Sequence, residues 1–313
     1  MSEHEAFMRA ILESPEDDTP RLIYSDWLEE HGGPEDKDKA ELIRVQCESE
    51  RLPEGDKRRV ALEKRAKALV KANSKTWLAD VKKAKLGGNW TFRRGFLHGC
   101  KIKATKFVKV AEKLFEMVPT LRAISCHEAS NEVSDLAACP HLAKVQELNL
   151  HEMCVCGFCP IGRELAELFR SPHVANLTSL CVSSDRITSA GAEQIAASPY
   201  LGKLKELNLA GNTIGNKGLK ALLGSPQLNS LETLDLSYNN LGPVVGKSLA
   251  TLPVWPTLKH LNLYANQLGK AGGLALANAG NLDGLQTLDL RVNVVGSIAA
   301  TALQNKFGDR VKL

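Results

Sequence analysis

Apolar residues recur along the second half of the chain on a fixed period. Leu204, Leu207, Leu209 and Ile214 surround Asn212, and the same template returns at Leu231, Leu234, Leu236, Asn239 and Leu241, and at Leu258, Leu261, Leu263, Asn266 and Leu268. Leu285, Leu288, Leu290, Asn293 and Val295 follow, and Leu177, Leu180, Val182, Asp185 and Ile187 precede, so the first leucines at 177, 204, 231, 258 and 285 stand 27 residues apart. Each template opens on alternating apolar positions, which predict a short strand half-buried against a core. Its second half, as in Gly218–Leu223 and Gly191–Ala196, carries apolar residues at helical spacing, and Ser225-Pro226 or Ser198-Pro199 then stops the helix.

Weaker copies extend the pattern upstream through Val145, Leu148 and Leu150, through Leu121, Ile124 and Cys126, and through Leu97, Cys100 and Ile102. About eight turns are expected, each too small to bury its apolar face alone and stable only when stacked. The Asn of each template should bond the backbone of the adjoining turn. The expected fold is α/β, a leucine-rich repeat solenoid shaped as a horseshoe with parallel strands concave and helices convex, preceded by a small all-α module. The template over residues 97–313 resembles the ribonuclease-inhibitor class of leucine-rich repeat, which implies this fold and leaves function open, because that class serves many activities.

The N-terminal segment shows helical spacing over 3–13, about 17–30 and about 38–51. Asp17 or Asp18 is positioned to cap the second helix and His31-Gly32-Gly33-Pro34 to end it. Leu22, Ile23, Tyr24 and Trp27 are expected to face a small core. From Asp56 to Leu86 a lysine- and arginine-rich stretch spaces Val60, Leu62, Ala66, Leu69, Val70, Trp77, Leu78 and Val81 as an amphipathic helix or a broken pair. Phe7, Ile11, Leu12, Asp17–Leu22, Tyr24–Leu28 and Gly32, with Glu41–Cys47 and the later Trp90–Phe96, resemble the bacterial repeat-companion domain, a module found ahead of leucine-rich repeats. The resemblance supports the architecture and implies no activity. The expected division is an acidic helical domain over 1–52, a basic neck over 53–89 and the repeats over 90–313.

Charge sharpens this division. Residues 1–56 carry 6 Lys/Arg against 17 Asp/Glu, residues 57–113 carry 18 against 3, and the remainder is balanced, although the whole chain is only +4. An acidic head and a basic neck can neutralise one another or attract outside partners. Lys64, Arg65, Lys67 and Lys71 are the candidate anion-binding residues of the neck, by which nucleic acid would be held. The start of the sequence lacks the basic and apolar pattern of a signal peptide, and no apolar run approaches the roughly 18 residues of a membrane span. A cytoplasmic protein without membrane contact is therefore expected, with its eight cysteines as free thiols, and the resemblance to the repeat-companion domain implies a bacterial one.

Candidate chemistry lies in three places. Cys154, Cys156 and Cys159, with His151 and its expected strand neighbour His127, offer soft ligands that could hold zinc; Cys156 and Cys159 also form a C-x-x-C pair open to thiol chemistry. Side chains at the third, fifth and seventh template positions point away from the leucine core. The fifth reads Lys101, Ser125, Asn149, Cys181, Asn208, Asp235, Asn262 and Asp289 and turns acidic toward the end. Together with Glu206, Tyr238, Tyr264 and Arg291, residues Asp235, Asn262 and Asp289 make the candidate partner-binding face. No phosphate-cradling glycine loop, nucleophile elbow or paired-histidine metal motif is present. The expectation is a non-enzymatic scaffold that binds a protein on its concave face and needs no cofactor, with anionic-partner binding at the neck as the alternative and metal or thiol chemistry after that.

Overall fold

The structure is a computed structural model describing residues 2–127, 133–150, 161–251 and 256–313. The chain forms two compact units, one of residues 1–101 and 110–122, the other of residues 102–109 and 123–313.

In the first unit, helix α1 (Glu3–Glu13) opens with a capping box: Ser2 Oγ accepts from the Glu5 amide at 3.2 Å, and Glu5 accepts from the Ser2 amide at 2.8 Å. Helix α2 (Thr19–His31) begins where Asp17 accepts from the Thr19 amide at 2.8 Å. It buries Arg21, Tyr24, Ser25 and Leu28, an i, i+3, i+4, i+7 face. Ile23 lies off that face and is 52% exposed, so the expectation that it enters the core is corrected by one step of helical phase. Helix α3 (Pro34–Arg51) starts four residues before the expected position. Pro34 occupies its first turn, and the Asp36 carboxylate accepts from the Gly33 amide at 2.9 Å. Ile11, Tyr24, Leu28, Ala40, Ile43, Cys47 and Phe96 make the core of these helices.

Helix α4 (Lys57–Trp77), capped by Asp56, packs along α3, and a short α5 (Ala79–Lys83) follows the break at Leu78. Leu42, Ala66 and Leu69 seal the α3–α4 contact, whereas Val60 is 57% exposed despite its apolar spacing. Strands β1 (Asn89–Arg93) and β2 (Phe96–Lys103) form an antiparallel hairpin whose two turn residues, Arg94 and Gly95, both have positive φ (48° and 86°). The glycine is required twice over: a Cβ at Gly95 would lie 2.1 Å from Ile43 Cγ1. Gln46 holds the turn, donating to the Phe92 carbonyl at 3.0 Å and accepting from the Gly95 amide at 2.7 Å. Helix α6 (Ala104–Met117) completes the N-terminal elements.

The second unit carries the repeats. Strands β3 (Ala123–His127), β4 (Glu147–Asn149), β5 (Ser179–Cys181), β6 (Glu206–Asn208), β7 (Thr233–Asp235), β8 (His260–Asn262), β9 (Thr287–Asp289) and β10 (Val311–Lys312) pair in parallel, each with the next in chain order. Leu180, Leu207, Leu234, Leu261 and Leu288 align across this sheet, reproducing the 27-residue register. Between strands run α7 (Val133–Ala138), α8 (Ile161–Arg170), α9 (Ser189–Ala196), α10 (Gly215–Leu223), α11 (Val244–Thr251), α12 (Gly269–Ala277) and α13 (Ser297–Phe307). Gly246 lets α11 approach α12 closely, since a Cβ there would meet the Gly272 carbonyl oxygen at 2.2 Å.

Two hydrogen-bond ladders tie turn to turn. Asn266 Oδ1 accepts from the Asn239 and Leu241 amides at 3.0 Å each, and its Nδ2 donates to the Leu236 and Leu263 carbonyls at 2.9 and 3.0 Å. Asn212, Asn239 and Asn293 bond their neighbours in the same manner, and all four asparagines are buried. The second ladder was not legible as such in the sequence. Ser171, Ser198 and Ser225 donate to the carbonyls of Ala137, Phe169 and Ala196 one turn back, at 2.5, 2.6 and 2.6 Å, while accepting the amide two residues on, which caps a 3-10 turn after Ser171 and Ser225 and a plain turn after Ser198. The prolines after these serines, read from sequence as helix stops, are the first residues of those turns or their immediate neighbours.

A candidate docking face on the repeat strands

The fifth template position does two things. Asn208, Asp235, Asn262 and Asp289 each accept, through Oδ1, the amide two residues on, that of Ala210, Ser237, Tyr264 and Arg291, at 2.9, 2.9, 3.0 and 3.2 Å. The column therefore turns the chain at each strand end before it presents anything to a partner. Its carboxylates differ in what remains. Asp235 also takes the Ser237 hydroxyl at 2.7 Å and the Asn262 amide at 2.9 Å, both neutral donors. Asp289 is met by the Arg291 guanidinium at 2.5 Å. Burial pushes Asp289 up, but the hydrogen bonds and charge of Arg291 outweigh it and hold the carboxyl below its usual range. In the column Asp235 is thus the carboxylate without an ion pair among the described residues, and the exposed Glu206 stands beside it at the third template position.

Beside the column stands an aromatic row. The Tyr238 and Tyr264 rings are 5.3 Å apart at 68°, an edge-to-face pair, and the Arg291 guanidinium lies 5.4 Å from the Tyr264 ring centre. The hydrogen bond with Tyr264 raises the Tyr238 phenol above its ordinary value. Tyr238 is 57% exposed although its backbone is left-handed (φ 55°). The cause is architectural, because the eighth template position is left-handed in every regular turn: Ser184 (61°), Gly211 (69°), Tyr238, Ala265 (52°) and Val292 (59°). The ladder bonds from Tyr238 N–H to the Tyr264 carbonyl and from Ala265 N–H to the Arg291 carbonyl, at 3.0 and 2.9 Å, enforce it. Only glycine occupies that region freely, so a large side chain there is held against a local cost.

All seven residues nominated from sequence on this face, Glu206, Asp235, Tyr238, Asn262, Tyr264, Asp289 and Arg291, fall within β6–β9 and the turns that leave them. The third position, readable from the same register, adds His260, whose Nδ1 is 2.9 Å from the Thr287 hydroxyl. Lys205, Glu232 and Lys259 form a cross-turn ion row in which Lys259 bonds Glu232 at 2.5 Å and lowers its pKa.

The other nominated residues separate. His151, Cys154, Cys156 and Cys159 lie outside the described residues; His127 ends β3, and its buried Nδ1 has no hydrogen-bond partner among the described residues. No cluster of metal-ligating side chains occurs among the described residues. Cys47, Cys100, Cys126 and Cys139 are buried thiols, and burial pushes Cys47 up to about 12. In the neck, Arg65 is committed to Glu41 through bonds of 2.6 and 2.5 Å, which lower the Glu41 pKa. Arg58 pairs with Glu48, Arg59 with Glu63 at 2.9 Å, and Arg94 with Glu50 at 3.0 Å and Asp18 at 3.3 Å. The acidic head and basic neck are therefore joined by Arg58–Glu48 and Arg65–Glu41, while Arg59 is paired within the neck, and Lys64, Lys67 and Lys71 make no ion pair among the described residues.

A family model described as Leucine Rich repeat matches residues 203–223, 227–250 and 256–277. No curated protein matches the chain. A crystal structure of an internalin from Listeria monocytogenes is similar at 19% identity over 64% of this chain and 69% of that one, with a TM-score of 0.29. The repeats at 203–277 support a protein-interaction scaffold in general. No helix among the described residues is long and apolar enough to cross a membrane.

Proposed function

We propose, from the premise that residues 203–277 are leucine-rich repeats, that this protein is a non-enzymatic scaffold whose protein partner docks on the strand side of the repeats, across Tyr238, Asn262, Tyr264 and Arg291. The observation that carries the reading is the exposed Tyr238 set edge-on against the half-buried Tyr264, with Arg291 over the latter's ring. Tyrosine and arginine anchor interfaces because each covers a large area at small entropic cost and keeps a polar tip for specificity. Glu206 and Asp235 beside this row have no ion pair among the described residues, so the partner segment presents an apolar or aromatic side chain next to a basic one.

The experiment compares the proteins retained by the wild-type chain with those retained by Tyr238→Ser/Tyr264→Ser and by Lys220→Ser, a control on helix α10. Loss of one discrete partner in the tyrosine variant and its retention in the control is the expected result. An unchanged partner set in the tyrosine variant contradicts the assignment of this face.

A further inference from the structure

The first unit contains a groove of about 440 Å³ between α3, α4 and β1. Its volume falls in the range of small-molecule sites. Its walls are Ala66 and Val70 of α4 and Trp90 and Phe92 of β1. Polar groups line it too, yet most are spent on the protein itself. Gln46 uses its amide on Phe92 and Gly95, the Ser49 hydroxyl donates to the Gln46 carbonyl at 3.0 Å, and Glu63 is paired with Arg59. Ser74 donates to the Lys71 carbonyl, and what remains is the neutral hydroxyl of Thr91 together with Lys67 and Lys71, lysines one helical turn apart on α4, both exposed and without an ion pair among the described residues.

That remainder is selective. The arginines of the neck are matched by carboxylates, while two like charges at i, i+4 are left side by side, an arrangement that is unfavourable until an anion lies between them. Apolar walls exclude a fully hydrated polyanion, and an apolar body alone would leave the lysines unused. We infer that this groove binds a small amphiphilic carboxylate, with its apolar body against Val70, Trp90 and Phe92 and its carboxylate between the Lys67 and Lys71 ammonium groups.

The test follows the Trp90 indole N–H resonance of the full chain during titration with decanoate, with decanol as the neutral equivalent. Decanoate is expected to shift that resonance saturably at one molecule per chain, and decanol to bind at least about tenfold more weakly, as the loss of a charge-assisted hydrogen bond implies. Lys67→Gln/Lys71→Gln, which changes exposed positions only, is expected to weaken decanoate by about the same factor and to leave decanol unchanged. The inference is overturned by the absence of a saturable shift at Trp90, by equal affinity for decanol, by full decanoate affinity in the double variant, or by a short single-stranded oligonucleotide displacing decanoate at lower concentration.

Discussion

The Tyr238 ring meets the Tyr264 ring edge-on, at 5.3 Å, from a backbone position that every regular turn holds at positive φ. A position that favours glycine has thus been given to a side chain that reaches solvent. The same position in the next turn but one holds Val292, a β-branched residue at φ 59° that is 64% exposed. Strain of this kind costs on the order of 1–3 kcal/mol, and glycine gives back part of the relief through the greater entropy of the unfolded chain. Val292→Gly is therefore expected to stabilise the protein by about 1 kcal/mol in urea unfolding. Destabilisation would show that the left-handed backbone there carries no cost.

The asparagine ladder makes the opposite prediction. Asn266 closes five hydrogen bonds within a buried stack. Asn266→Ala leaves two amides and three carbonyls without that partner, at a cost of roughly 2–4 kcal/mol. Because repeats are coupled mainly to their neighbours, hydrogen exchange should quicken most in β7, β8 and β9 and least in β3. A uniform change across the sheet would contradict this nearest-neighbour reading.

Lys39 sets a pH dependence in the first unit. Its ammonium lies 4.9, 5.0 and 5.3 Å from the ring centres of Trp77, Phe92 and Phe96, and burial lowers its pKa from 10.5 to about 8. The folded pKa is depressed, so the unfolded chain binds more protons between those two values. The contribution of Lys39 to stability is thus fully present above pH 10.5 and is lost as pH falls through 8. Relative to Lys39→Met, the wild type should gain up to about 3 kcal/mol between pH 8 and 10.5. Cation–π attraction to the three rings acts against burial and reduces that figure. A constant difference between the two proteins across this range would mean that the amine is not desolvated.

Much of this organisation is legible in the sequence because it rests on periods. The 27-residue spacing of leucines sets strand register, and Asn212, Asn239, Asn266 and Asn293 announce their ladder by recurring in phase with it. The capping role of Asp17 follows from local residue chemistry, whereas the spacing leaves one neck helix or a broken pair open, and the break at Leu78 emerges only in the structure. What local chemistry does not contain is phase and partnership. Ile23 faces solvent because α2 buries the face one step away, and Arg65 is spent on Glu41, 24 residues distant, while Lys67 is not. The groove was illegible for the same reason, since Gln46, Val70 and Trp90 come from three elements whose meeting no spacing records. On the repeat face the residues could be named from register, but the use of the fifth position in turning the chain emerges only from the hydrogen bonds to Ala210, Ser237, Tyr264 and Arg291.

Site-specific photocrosslinking shows whether a protein partner sits on the tyrosine row. A photoreactive phenylalanine analogue is placed at Tyr238, at Tyr264 or, as a control, at Lys220 on α10, and each protein is irradiated in the lysate of its own host. The account predicts one discrete adduct from positions 238 and 264, abolished by excess unmodified protein, and none from position 220. Adducts formed equally from position 220, or from it alone, would contradict the account.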